Sequence, residues 1–460
     1  MLPQTTKRFV VLAVTLLGTP TLRAQAPGPD TLRFLSDVHR GVAGAPAIWP
    51  GFRPDTFPVL YVLRGRGAAL FGWRGAAPEG FAPAGDALWR GEAAQGAAST
   101  SVEIAGRAVA QVVVGSLDRG ELIGISVHEA FHAFQGASRR EGRRFGRGEN
   151  SFWVSQYPVF DVENETDWAL EGRLLGGALG NPLPLEARRL AQAFVAVRRA
   201  RHARMGAELA EFEAMSELNE GLAQYAEVRT SSAAAELARL DSLTAGSSLS
   251  VRRRFYTTGA AMGLLLDRLA GDSWKRSLVD DNLTMQDALA RASGFDAASD
   301  SLRAEAARRF DRPRLAAAAE QGVRALLATR RRQADSLLAR PGIQVVLDGG
   351  FGQCQFDPQN MLRVDSASVL HTRWLLVCRG QALSGEFTRP VLTDATRATA
   401  VIGEEHEVRL TVGGARVALA GLTSLPAAQD VRIESPGLTL RVARADVTRE
   451  GRVLRIRPAP

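Results

Sequence analysis

The sequence predicts an α+β protein: a β-rich N-terminal part, a mainly helical middle and a C-terminal all-β domain of sandwich type. Three observations predict it. Between residues 116 and 296, apolar residues recur at helical spacing over long stretches. Pro341 and Gly342 then mark a change to short alternating runs such as "QVVL", "WLLVC", "EVRLTV", "LTLRVA" and "RVLRIR". Before residue 116, apolar runs such as "FPVLYVL" and "RAVAQVVVG" stand between clusters of Gly, Pro and Ala. With 460 residues, 45% of them hydrophobic, the chain is long enough for two or three domains.

In chain order, residues 1–24 read as a secretory signal. Lys7 and Arg8 precede an apolar run from Phe9 to Gly18, and small residues near Ala24 and Ala26 offer cleavage, with Ala24 favoured because Pro27 follows Ala26. That run is too short to cross a bilayer, and no later stretch approaches a transmembrane helix. The expectation is an exported protein, periplasmic or extracellular, with no membrane span in the mature chain; a retained N-terminal anchor is the alternative. Residues 25–115 form the β-rich part. Residues 116–296 form the helical region, opened by Asp118 and Glu121 at capping-box spacing. "DVENETDWALEGRLLGGAL" starts on acids, as suits a helix N-terminus, and Pro182 and Pro184 end it. "EARRLAQAFVAVRRARHARM", "GAELAEFEAMSELNEGLAQYAEVR" and "VRRRFYTTGAAMGLLLDRLAG" follow, and Gly259, Ala260 and Gly263 in the last allow another element close. Residues 297–340 predict a long helical connector, broken or kinked around Pro313. Residues 341–460 form the β-domain, where Gly413-Gly414 marks a two-residue hairpin.

The net charge is +8, and 55 of the 57 basic residues are arginine, since only Lys7 and Lys275 are lysines. The arginines are interleaved with acids along helices, without clusters of bases and aromatic platforms, so no nucleic-acid partner is expected. Cys354 and Cys378 are the only cysteines. In an exported protein they could pair, worth about 3 kcal/mol for such a loop, or each could stay a buried thiol. His371 and His406 in the β-domain are isolated and read as structural or solvated.

The stretch "SVHEAFHAFQ" carries the chemistry. His128 and His132 are four apart, so on one helix both imidazoles face one metal ion, and Glu129 reaches a water held there. Leu122, Ile123, Ile125, Val127, Phe131 and Phe134 give this helix an apolar body. The spacing predicts one Zn²⁺ ion; two histidines on a helix without metal are the structural alternative. A catalytic zinc needs a third protein ligand. Glu220, in "LNEGLAQYAE" with Gly221 and Ala223 beside it, is the first choice, on a helix that could approach the metal helix closely. Glu171, in "ALEGRLL", is the second. Glu163, Glu165 and Asp167 could instead orient the histidines by accepting their free N–H groups. A solvated acid on a charged helix face is the bland alternative for Glu220.

"HEAFH" with "LNEGLAQYAE" resembles the gluzincin zinc metallopeptidases of the thermolysin-like and aminopeptidase-N superfamily, whose third-ligand helix reads L-N-E-G-F-A. The resemblance covers roughly residues 110–290. It implies a zincin-like catalytic domain in which His128, His132 and Glu220 are zinc ligands and Glu129 is the general base. It also implies a Tyr on a later helix as oxyanion donor. Tyr256, in "FYTTG", fits that place; Tyr225 is the alternative, and either could be a buried Tyr in a structural role. A strand feeding the motif helix suits the same family, where an exposed strand edge lines the cleft and pairs with the substrate backbone. Two features depart from the pattern. Eighty-seven residues separate His132 from Glu220, so an insertion over residues 133–219 must loop out. The G-x-M-E-N segment of aminopeptidases has no equivalent between residues 80 and 120. The expected function is zinc-dependent hydrolysis of peptide or protein substrates. The rivals are a zinc hydrolase of a non-peptide ester or amide, and a non-catalytic extracytoplasmic binding protein.

Overall fold

A computed structural model describes residues 27–91, 98–230, 248–295, 299–349, 354–355, 360–378 and 383–459. The proposed secretory signal lies outside them. Among the described residues, no helix is long and apolar enough to cross a membrane. The architecture is α+β, and the chain divides into two compact units. One comprises residues up to Ala45 with Pro54–Ala130; the other comprises Pro46–Arg53 with Phe131–Pro460. The division falls inside one continuous helix.

The first unit opens with a helix, α1 (Pro29–Ala43), in a stretch expected to be irregular. Its Gly and Pro flanks concealed the period of Leu35, Val38 and Val42, which are buried on one face. Six strands follow: β1 (Val59–Leu63), β2 (Gly67–Phe71), β3 (Ala82–Ala84), β4 (Ala87–Arg90), β5 (Thr100–Ile104) and β6 (Arg107–Val114). They form one sheet in the order β3-β4-β2-β1-β6-β5. β6 leads into the motif helix but is not an edge: it pairs in parallel with β1 and antiparallel with β5. The edge on that side is β5, only partly buried.

Helix α2 (Arg119–Ala137) carries the motif. Its start is a reciprocal capping box: Asp118 N–H donates to Glu121 Oε2 (2.7 Å) and Glu121 N–H to Asp118 Oδ1 (2.9 Å). In the second unit its C-terminal half is fixed by aromatic packing, with Phe131 edge-on to both Trp49 and Phe52.

Among the described residues, the second unit's further α-helices are α3 (Val162–Gly180), α4 (Pro184–Met205), α5 (Ala207–Ser216), α6 (Leu222–Thr230), α7 (Ser248–Ala270), α8 (Ser273–Asp280), α9 (Met285–Ser293), α10 (Ser299–Arg309) and α11 (Arg312–Leu338). Asp161 caps α3 by accepting from the backbone of Glu163 and Asn164, and Pro184 occupies the first turn of α4. The run expected as one helix from Gly206 to Arg229 is instead α5 and α6 joined by a π-helical turn, Glu217–Gly221. The connector breaks at Asp311, just before Pro313, and Ala334 and Leu337 of α11 pack on Val364, Leu370 and Val401 of the β region.

The C-terminal strands begin with β7 (Gln344–Asp348) and end with Leu438–Glu450 and Val453–Pro458. Leu438–Glu450 pairs with Ser424–Ser435 along one edge, and on the other with Leu383–Phe387 and, further on, with Val453–Pro458. The sheet therefore forks, and residues from both arms, among them Leu347, Trp374, Phe387 and Ile456, share one apolar core. This is how a sandwich-like interior arises from one hydrogen-bonded network. Gly413 and Gly414 both have positive φ and join Val412 to Ala415 in the expected hairpin. Cys354 and Cys378 are register partners on adjacent antiparallel strands; their side chains lie outside the described residues. His371 is buried, stacked on Trp374 and bonded to Thr393, a structural role.

Candidate metal centre

One turn of α2 separates His128 from His132, and both imidazoles lie on the face that Glu220 approaches. One ligand atom from each of His128, His132 and Glu220 lies within 4.8 Å of the other two. His128 and Glu220 are buried and His132 is half-buried, so the group is shielded from bulk water. Glu129 is also buried, 5% exposed, next to His128 on the same helix.

Hydrogen bonds decide which nitrogen of His132 faces the group. Gln135, one turn on, donates through Nε2 to the carbonyls of Leu218 (2.8 Å) and Asn219 (3.2 Å). Its amide orientation is thereby set, and its Oε1 faces His132 Nδ1 at 3.0 Å as an acceptor. That places the proton on Nδ1 and the lone pair on Nε2. His132 Nε2 in turn stands 3.2 Å from Glu220 Oε2. Two acceptors held face to face are relieved by a cation. The donor set, two imidazoles and a carboxylate whose ligand atoms all lie within 4.8 Å of one another, could hold a metal ion.

Glu220 is positioned by the π turn, whose wider step rotates it away from the direction an α-helix would give it relative to Glu217. Its other oxygen, Oε1, accepts from Arg252 Nη2 at 2.7 Å, and the same Nη2 donates to Glu149 Oε1 at 3.0 Å. Asn219 donates to Glu149 Oε2 at 2.8 Å. The hydroxyl of Tyr256, one turn after Arg252, also bonds to Glu220. Burial, and then the charge of Glu220, push the Tyr256 phenol far above its ordinary range, so it remains a donor.

Other candidates are placed elsewhere. Glu171 is not near the histidines: its oxygens accept from Arg201 Nε (2.6 Å) and Arg198 Nε (2.9 Å). Glu165 forms a two-point pair with Arg254, Glu163 and Asp167 bond to Arg312, and Asp167 also bonds Arg204. These acids serve arginines rather than orienting histidines; Gln135 does that for His132. Tyr225 donates to Asp267 at 2.8 Å. Gly221 does not bring Glu220's helix against α2; its close neighbour is Gly259 of α7. Sequence reasoning missed Gln135, Glu149 and Arg252. Two of them carried a signal, since Gln135 is three residues from His132 and Arg252 four from Tyr256 on helices already assigned.

No protein-family model, curated protein or solved structure matches this chain.

Proposed function

We propose that this chain is an exported zinc-dependent hydrolase of peptide bonds, of the gluzincin kind. The observation that carries the reading is the convergence of His128, His132 and Glu220 around one point, with Glu129 buried beside it. His128, His132 and Glu220 would hold the ion, which when bound supplies a strong positive charge that activates a water and polarises a carbonyl. Glu129 accepts the proton of the attacking water and passes it to the leaving amine. Tyr256, kept protonated, would turn its single O–H from Glu220 to the oxygen that becomes negative as the tetrahedral centre forms. Gln135 holds His132 in the tautomer that exposes Nε2. Arg252 holds Oε1 of Glu220, and Oε2 faces His132 Nε2.

The test is Glu129→Gln. Zinc content measured by elemental analysis should match that of the wild type, while cleavage of a mixed peptide library falls by at least a thousandfold. Full cleavage by that variant would sink the mechanism. Absence of zinc from both proteins after exposure to the ion would sink the metal site itself.

A further inference from the structure

The insertion between His132 and Glu220 builds a cleft of about 540 Å³, a size common for ligand pockets. Trp153, Ala207, Phe212 and Met215 make its apolar part, while Glu149 lines it close to Glu220. Arg147, Glu208 and Glu211 also line it, and Arg147 and Glu211 bind each other at 2.5 Å. Glu149 makes the connection to the metal centre. Its Oε1 and Oε1 of Glu220 are bonded to the same atom, Arg252 Nη2, so they are no further apart than those two bonds laid end to end. A peptide advances up to about 3.6 Å per residue. A side chain within a residue or two of a carbonyl at the metal centre therefore reaches the cleft.

We infer that this cleft is the specificity pocket of the enzyme and takes a large apolar side chain, Phe- or Leu-sized, of the substrate peptide. The inference rests on the peptide-hydrolase reading and adds to it the class of substrate. Apolar walls favour apolar side chains because their burial removes hydrocarbon from water. Glu149 is already engaged by Asn219 and Arg252, so it forms a fixed wall of the cleft.

The test uses the full-length Glu129→Gln protein loaded with zinc and fluorescent hexapeptides that differ only in carrying Phe or Ala at one position. Fluorescence anisotropy should show the Phe peptide binding at least tenfold tighter. Ala207 is exposed at the start of α5, so Ala207→Trp fills the cleft from its rim and should bring that ratio close to one. Should that variant not fold, Ala207→Asp poses the same question with a residue favoured at a helix N-terminus. A ratio near one in the parent, a preference that survives both substitutions, or no binding of either peptide overturns the pocket. Parallel assays of the zinc-loaded wild type separate the two ideas. Phe preference without cleavage leaves the pocket standing and removes the hydrolase reading; cleavage without preference does the reverse.

Discussion

Gly221 and Gly259 meet backbone to backbone. A Cβ on either would lie 2.6 Å from the Cα of the other and 2.9 Å from a carbonyl oxygen, that of Phe255 or Glu217. Gly221 ends the π turn that carries Glu220, so this crossing sets how the carboxylate is presented. The chain thus uses two glycines on two helices to place a third, charged residue. Gly259→Ala should destabilise the protein by about 1–3 kcal/mol through overpacking. It should also weaken zinc binding, because the turn must move. Thermal unfolding and chelator competition measure the two effects, and unchanged zinc affinity in a folded variant would show that the crossing does not position Glu220.

Gln135 makes a sharper test of the centre than either histidine, since it touches no metal. Replacing it by Ala removes the acceptor for His132 Nδ1 and frees the imidazole to change tautomer. Loss of such a supporting bond costs about 10- to 100-fold in metal affinity. Gln135→Glu keeps an acceptor toward His132, though it gives up the donation to Leu218 and Asn219, and should retain more affinity than the Ala variant. Equal affinities for all three proteins would refute the role.

Glu220 and Glu171 are both followed by glycine, yet the structure separates them fully. Glu220→Gln should lose zinc retention by at least a hundredfold with little change in unfolding. Glu171→Gln should keep the metal and lose stability, because the two arginines that share its carboxylate are entirely buried. Chelator competition beside a melting curve for each variant decides it; zinc loss in the Glu171 variant with an unchanged melt would reverse the assignment.

What could be read from the sequence was what local spacing records. The capping box at Asp118 and Glu121, the Gly413-Gly414 hairpin and the stop of α3 before Pro182 depend on neighbours within a few residues. The pairing of His132 with Glu220 was reached through the gluzincin pattern rather than spacing, since residues so far apart carry no geometric relation in one dimension. The acids of α3 show the limit. Their sequence signal as a helix start was sound, but nothing local told that their partners would be Arg254, Arg204 and Arg312. The π turn was not legible either: Asn219 and Gly221 lower its helix propensity but do not specify a wider step, which contacts with α4 and α7 hold. Arg198 of α4 bonds to Glu217, and Thr258 of α7 donates to the same oxygen at 2.6 Å.

Those contacts belong to a buried ionic network that holds the helices together. Arg198, Arg201 and Arg254 lie over Trp168, with their charges met by Glu165, Glu171, Glu213 and Glu217. Burial opposes ionisation of Glu213, but Arg201, His202 and Arg198 outweigh it and hold the carboxyl well below its ordinary range. Burial instead pushes Glu217 up, with Arg198 offsetting only part of the effect. Arg201→Met leaves Glu171 and Glu213 short of partners in a dry interior and should cost about 3–5 kcal/mol. Arg201→Lys should recover little, because an ammonium cannot reproduce the fork that bonds both carboxylates. Denaturant unfolding of the pair checks this, and a lysine variant as stable as the wild type would argue against the geometry.

The β-domain should respond to acid through His371. Its Nε2 faces Thr393 Oγ1 at 3.0 Å, and that hydroxyl donates to the carbonyl of Val369 at 3.3 Å, so the imidazole is the donor and is neutral. Burial lowers its pKa from 6.5 to about 4. The sign follows from comparing the two states. Below pH 6.5 the unfolded chain takes up a proton that the folded chain refuses until near pH 4. Stability from this residue is thus complete above pH 6.5 and declines as pH falls toward 4, by up to about 3 kcal/mol. His371→Phe keeps a ring against Trp374, lets Thr393 retain its bond to Val369, and removes the titration. Urea midpoints at pH 7 and pH 4.5 should fall closer together in the variant than in the wild type. An identical drop in both proteins would assign the acid sensitivity to other groups, with the buried carboxylates around Arg201 next to be tested.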